Sequence, residues 1–229
     1  MRRNPLKLLA LLLPLVLLAG ACGSDGGSDT TATTVAEEEV PAGGTLVIGA
    51  EQEPDCTDWI GTCGGSSWGY WMMNVTTLTR PYEAVKVGDG WDYKPTELLE
   101  GEAKLETEPV QKITYKLNPK VKWNDGTPVS SKDFKYTFDQ ITTGADIYDT
   151  TGYADIESVD ASDPETVVVT FKQGKLYADW KALFGGGYGL YPAHLLEGKD
   201  RNKEVASGYK FSAGPWIIES WNKGVDITL

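Results

Sequence analysis

The chain has 229 residues, 41% of them hydrophobic, 10% aromatic and 24% charged, which is globular composition. Its 21 Lys+Arg stand against 33 Asp+Glu, and residues 1–21, which read as a removable signal, take Arg2, Arg3 and Lys7 with them. An acidic body without a basic stripe argues against nucleic acid as the main partner and against electrostatic docking on anionic lipid. One histidine and three cysteines leave little material for a transition-metal site, and no cofactor is expected.

Residues 1–21 read as a bacterial export signal. Arg2, Arg3 and Lys7 form its positive end, and Leu8 to Ala21 is an apolar run too short for a permanent spanning helix. The run closes in Leu18-Ala19-Gly20-Ala21-Cys22. This resembles a lipobox and implies lipidation at Cys22. Residues 22–42 are rich in Gly, Ser, Asp and Thr and bury too little to offset chain entropy, so they read as a flexible tether. A coil of that length reaches roughly 25 Å.

Gly44–Ala50 is a β-branched apolar run between glycines and predicts a buried strand. Glu51, Gln52 and Glu53 open the loop that follows. Glu51, Glu53, Asp55 and Asp58 are acidic, yet they lack the spacing and turn glycine of a calcium loop. Cys56 and Cys63 are predicted to bridge in an oxidising compartment, because no further Cys or nearby His completes a metal set. Ser67–Thr77 suggests a helix, with Trp68, Trp71 and Met72 on one side.

Short strands are predicted near Tyr82–Val87, Ala103–Thr107 and Ile113–Leu117. Asn124-Asp125-Gly126-Thr127-Pro128 is a turn, and Ser130 or Ser131 caps a helix running to about Thr142 with Asp133 in its first turn. Ile156–Asp160 and Thr166–Lys172 form a hairpin, and Tyr177–Phe184 a short helix before Gly185-Gly186-Gly187. That glycine run lacks the Lys-Ser/Thr of a phosphate loop. His194 has no catalytic partner at a recognisable spacing and reads as structural. Pro215–Trp221 and Val225–Leu229 are predicted strands. The chain stops inside the last of them, which suggests a piece of a longer protein.

The order of these pieces resembles the extracellular solute-binding proteins of family 5, the oligopeptide, dipeptide and nickel receptors of ABC importers. Ile113 to Phe134 carries the likeness most specifically: strand, D-G-T-P turn and capped helix in fixed register. Gly43-Gly44-Thr45-Leu46-Val47-Ile48-Gly49, Tyr191-Pro192-Ala193-His194-Leu195 and Gly214-Pro215-Trp216 add weight by their order. The resemblance implies a two-lobed, periplasmic-binding-protein-like α/β fold, with residues 43–229 holding part of lobe I and the family's small inserted domain. It implies a non-enzymatic, lipid-anchored receptor on the extracytoplasmic face of the cell membrane. That receptor would capture peptides or a similar small solute and pass them to ABC permease subunits. The loop after the first strand would face the cleft, which nominates Glu51, Gln52 and Glu53, with Trp68 and Tyr70 as cleft aromatics. A surface glycan-binding or adhesive lipoprotein is the rival reading, favoured by 8 Trp and 11 Tyr.

Overall fold

The computed structural model describes residues 43–64, 73–185 and 188–229. Residues 48–229 form one compact unit, and Gly43 to Val47 belong with the segment before it. The signal, Cys22, the tether, and Trp68 and Tyr70 lie outside the described residues.

The centre of the unit is a four-stranded antiparallel sheet in the order β3–β4–β6–β5. Its strands are β3 (Lys104–Glu106), β4 (Lys112–Lys116), β5 (Ile156–Asp163) and β6 (Thr166–Phe171). In β4 and β6 buried residues alternate with partly exposed ones, as the two-residue period of a pleated strand requires. The register sets Ile113 opposite Val169 and Tyr115 opposite Val167, so the apolar members share one face.

A helix, numbered α2 because the three-residue α1 (Val75–Thr77) precedes it, covers that face over Ser131–Thr143. Phe134 and Ile141 are buried to 1% exposure or less, as their i, i+7 spacing predicts. Phe134 meets Tyr115 at 5.5 Å and Phe184 at 5.1 Å between ring centroids. Aromatic pairs at these separations add to the area they bury.

Two hairpins form separate two-stranded sheets. β1 (Tyr82–Val87) pairs with β2 (Gly90–Pro95), and β7 (Ser220–Asn222) pairs with β8 (Asp226–Thr228). Two short helices, α3 (Ala193–Leu196) and α4 (Arg201–Val205), lie between β6 and β7.

Four expectations change. Gly44–Ala50 is neither buried nor a strand: Leu46 and Val47 are more than 80% exposed. A strand needs a partner to take its ladder bonds, and no described residue pairs with this run. The β2 strand was not foreseen, because Asp92, Lys94 and Pro95 are poor strand formers. Tyr177–Phe184 contains only a single 3-10 turn, Trp180–Ala182. The last two strands are three residues each rather than seven and five.

Candidate functional site

Two of the stretches that carry the family likeness, and the residues just before a third, meet at the D-G-T-P turn. Thr127 and Trp123 close it: Trp123 N donates to Thr127 O at 2.8 Å, and Gly126 N donates to Trp123 O at 2.9 Å. Gly126 sits at φ +91°, which a residue with a Cβ rarely adopts. Thr127 N donates to Asp125 Oδ1 at 2.9 Å. Six residues on, Asp133 sits in the first turn of α2 and accepts from Ser130 N at 2.8 Å, the reciprocal half of a capping box.

The same side chains reach distant segments. Asp133 Oδ1 accepts from Ala193 N at 2.8 Å, and its Oδ2 accepts from the Trp123 indole at 3.4 Å. Asp125 Oδ2 and His194 Nε2 are 2.8 Å apart. Asn124 exchanges bonds with Ser212, N to Ser212 O at 2.7 Å and Oδ1 from Ser212 N at 3.0 Å. Its amide also donates to Lys210 O at 2.9 Å. The turn and Asp133 therefore fasten Ala193, His194, Lys210 and Ser212 to the start of α2.

Two pKa shifts follow from this arrangement. The Thr127 amide, then His194, hold the Asp125 carboxyl below its ordinary value. Burial pushes the Asp133 carboxyl up, against its bonds from Ser130, Ala193 and Trp123. Because these polar groups point at one another, the junction organises the chain, and His194 is part of that scaffold.

Glu51, Gln52 and Glu53 are all exposed. Glu53, however, is engaged: its Oε1 accepts from the Trp221 indole at 2.8 Å, and both carboxylate oxygens accept from Gly224 N, at 2.9 and 3.0 Å. Chiefly the Gly224 amide, then the indole, hold the Glu53 carboxyl below its ordinary value. Lys223 Nζ lies 4.6 Å from the Trp221 ring centroid, a cation–π contact on the same hairpin. The structure thus joins the loop after residue 50 to the β7–β8 turn. The pairing of Trp221 with Glu53 spans 168 residues, so no local pattern carries it.

The predicted disulfide is present between Cys56 and Cys63. Inside its loop Asp58 is not solvated. Its side chain is 1% exposed and pairs with Arg201, also 1% exposed, at 2.8 Å between Nε and Oδ2. Tyr191 OH donates to Asp58 Oδ1 at 3.1 Å, and Ile60 N donates to the same oxygen at 3.2 Å. The remaining guanidinium donors reach Gln140, Ala145, Asp146 and Asn202. Among the described residues no group of three or more His, Cys, Asp or Glu side chains is placed to hold a metal ion.

Residues 99–229 match the family model of the bacterial extracellular solute-binding proteins, family 5 Middle. The probable monoacyl phosphatidylinositol tetramannoside-binding protein LpqW of Mycobacterium tuberculosis is 34% identical over 122 residues, 53% of this chain and 18% of its own. The oligopeptide-binding protein OppA of the same species is 34% identical over 119 residues, 49% of this chain and 20% of its own. The matched region is thus about a fifth of the length of these curated relatives. The periplasmic EDTA-binding protein EppA shares the fold at a TM-score of 0.64 and 22% identity, over 76% of this chain and 33% of its own. The chain belongs to the bacterial extracellular solute-binding proteins of family 5.

Proposed function

We propose that this chain is the N-terminal part of the substrate-binding lipoprotein of an ABC importer, which captures peptides outside the membrane and delivers them to the permease. Membership of family 5 across residues 99–229 carries the reading. A receptor of this kind hands on its ligand unchanged, so it needs affinity and closure but no positioned nucleophile or general base. Glu51, Gln52 and Glu53, with Trp68 and Tyr70, are the proposed ligand contacts. Glu53 is also proposed to hold that loop against the β7–β8 turn. A carboxylate here suits peptide amides or cationic side chains. The names of the relatives span an oligopeptide, an acylated mannoside and a chelator, so ligand class is what the experiment must separate.

The test is ligand-dependent melting of the full-length protein against oligopeptides, lipid-linked mannosides and metal chelates. A peptide at a hundred times its dissociation constant adds about 2.7 kcal/mol, which raises the midpoint by several degrees. A shift with mannoside alone would reassign the ligand, and recovery of a chemically altered ligand would overturn the non-enzyme reading.

The anchor is part of the proposal: Cys22 carries the lipid, and residues 23–42 tether the body to the membrane's outer face. Exported protein is expected to enter the detergent phase on cloud-point separation, and C22S to lose that partitioning. Equal partitioning of both would sink the anchor.

A further inference from the structure

Three segments far apart in sequence rest on the Cys56–Cys63 loop. After α2, Tyr148 N donates to Ile60 O at 2.8 Å, and the Thr62 hydroxyl donates to Asp146 Oδ1 at 2.5 Å. Before α3, Tyr188 stacks on Trp59 with centroids 4.6 Å apart, and Tyr191 OH bridges Trp59 N and Asp58 Oδ1. At α4 and beyond, Arg201 pairs with Asp58, Thr57 N donates to Ala206 O at 3.2 Å, and Gly208 N donates to Thr57 Oγ1 at 3.1 Å. No residue of the loop takes part in the β3–β4–β6–β5 ladders or in the bonds to Asp133.

We infer that the Cys56–Cys63 disulfide is a redox latch. Closed, it holds Asp58 against the buried Arg201 and keeps segments 145–148, 188–191 and 201–208 docked. Opened, it releases those segments while the sheet and α2 persist. Two observations carry this. A buried ion pair repays its desolvation only when its geometry is held, and the acid of this pair sits on a short loop that the disulfide closes. The loop must also be tight: a Cβ on Gly61 would lie 2.9 Å from Asp58 Oδ2 and 3.2 Å from Asp146 Oδ2, so only glycine passes between the two carboxylates.

Opening takes a dithiol reductant. Cys63 is partly exposed whereas Cys56 is buried, so the attacking thiolate meets the Cys63 sulfur. The S–S bond breaks, and Cys56 leaves as a thiolate and takes a proton. The second thiol of the reductant then attacks the mixed disulfide, frees Cys63 as a thiol and leaves the reductant as its own disulfide. Two electrons and two protons pass from the dithiol to the protein. In an extracellular protein the latch is closed only after export, since the cytoplasm keeps thiols reduced.

The experiment compares the oxidised chain, the same chain in dithiothreitol, and C56S/C63S by limited proteolysis with mapped cut sites, circular dichroism and melting. The expected result is at least a tenfold faster cleavage within 145–148 and 201–208, with the far-ultraviolet signal retained. The midpoint should fall by about 4–12 °C. Reoxidation should restore protection, which keeps the test decisive even where the double variant fails to fold. In D58A, already lacking the pair, reduction should accelerate cleavage by less than threefold. Unchanged cleavage on reduction, or loss of the whole sheet in one step with it, overturns the latch.

Discussion

Asp58→Ala should be among the most damaging single substitutions in the chain. It removes the counter-ion of a guanidinium that is 1% exposed, and no second carboxylate pairs with Arg201 within 4 Å among the described residues. Breaking a buried pair from one side costs about 3–5 kcal/mol, because the surviving charge is stranded away from water. For a domain of this size that is a midpoint lower by about 6–20 °C. Arg201→Met should cost a similar amount, since Asp58 keeps only the Tyr191 hydroxyl and the Ile60 amide. The double variant Asp58→Ala with Arg201→Met separates this account from simple loss of packing. With both charges gone, nothing is stranded, and the combined cost should fall well short of the sum of the single costs. Denaturant melts of the four proteins read the coupling directly, and additive costs would show that the ion pair itself is immaterial.

How far the sequence reached depends on whether a feature was written locally. The alternation in Lys112–Leu117, the Asp125-Gly126 turn and the Ser130 cap are each encoded within a few residues, and all are found where expected. The disulfide was legible from compartment and cysteine count. Non-local pairings were not. Arg201 sits in Lys199-Asp200-Arg201-Asn202-Lys203-Glu204, a run that looks solvated, yet it is among the most buried polar residues. Asp58 was grouped with Glu51, Glu53 and Asp55 by proximity in sequence, while its partners lie 133 and 143 residues away. Asn74 opens a glycosylation-like triplet, but it is fully buried, with its amide on Tyr209 OH at 3.1 Å. The Gly44–Ala50 run failed for the converse reason: its composition favours a strand, and composition does not supply the partner strand.

The Asp133 side chain should prove the second large effect. Its carboxylate starts α2 through Ser130 N, and it holds the segment before α3 through Ala193 N. Asp133→Ala removes a helix cap, worth about 0.5–2 kcal/mol, and strands the buried Ala193 amide, at about 1–3 kcal/mol more. A loss of about 1.5–5 kcal/mol is expected, with faster hydrogen exchange at both amides. Asp133→Asn keeps one acceptor and turns a donor toward the other N–H, so its cost should be smaller but real. The pH dependence gives a sharper reading. Burial raises the Asp133 carboxyl in the folded state. A raised acid contributes stability that is fully present below the ordinary Asp value and is lost as pH rises through the folded value. The non-titrating Asn variant has no such loss, so its deficit against the parent should be widest near pH 4 and narrow toward pH 7. Denaturant melts of the two proteins across that window measure the gap. A deficit that instead widens with rising pH would mean that the three hydrogen bonds outweigh burial, and that the carboxyl is held below its ordinary value.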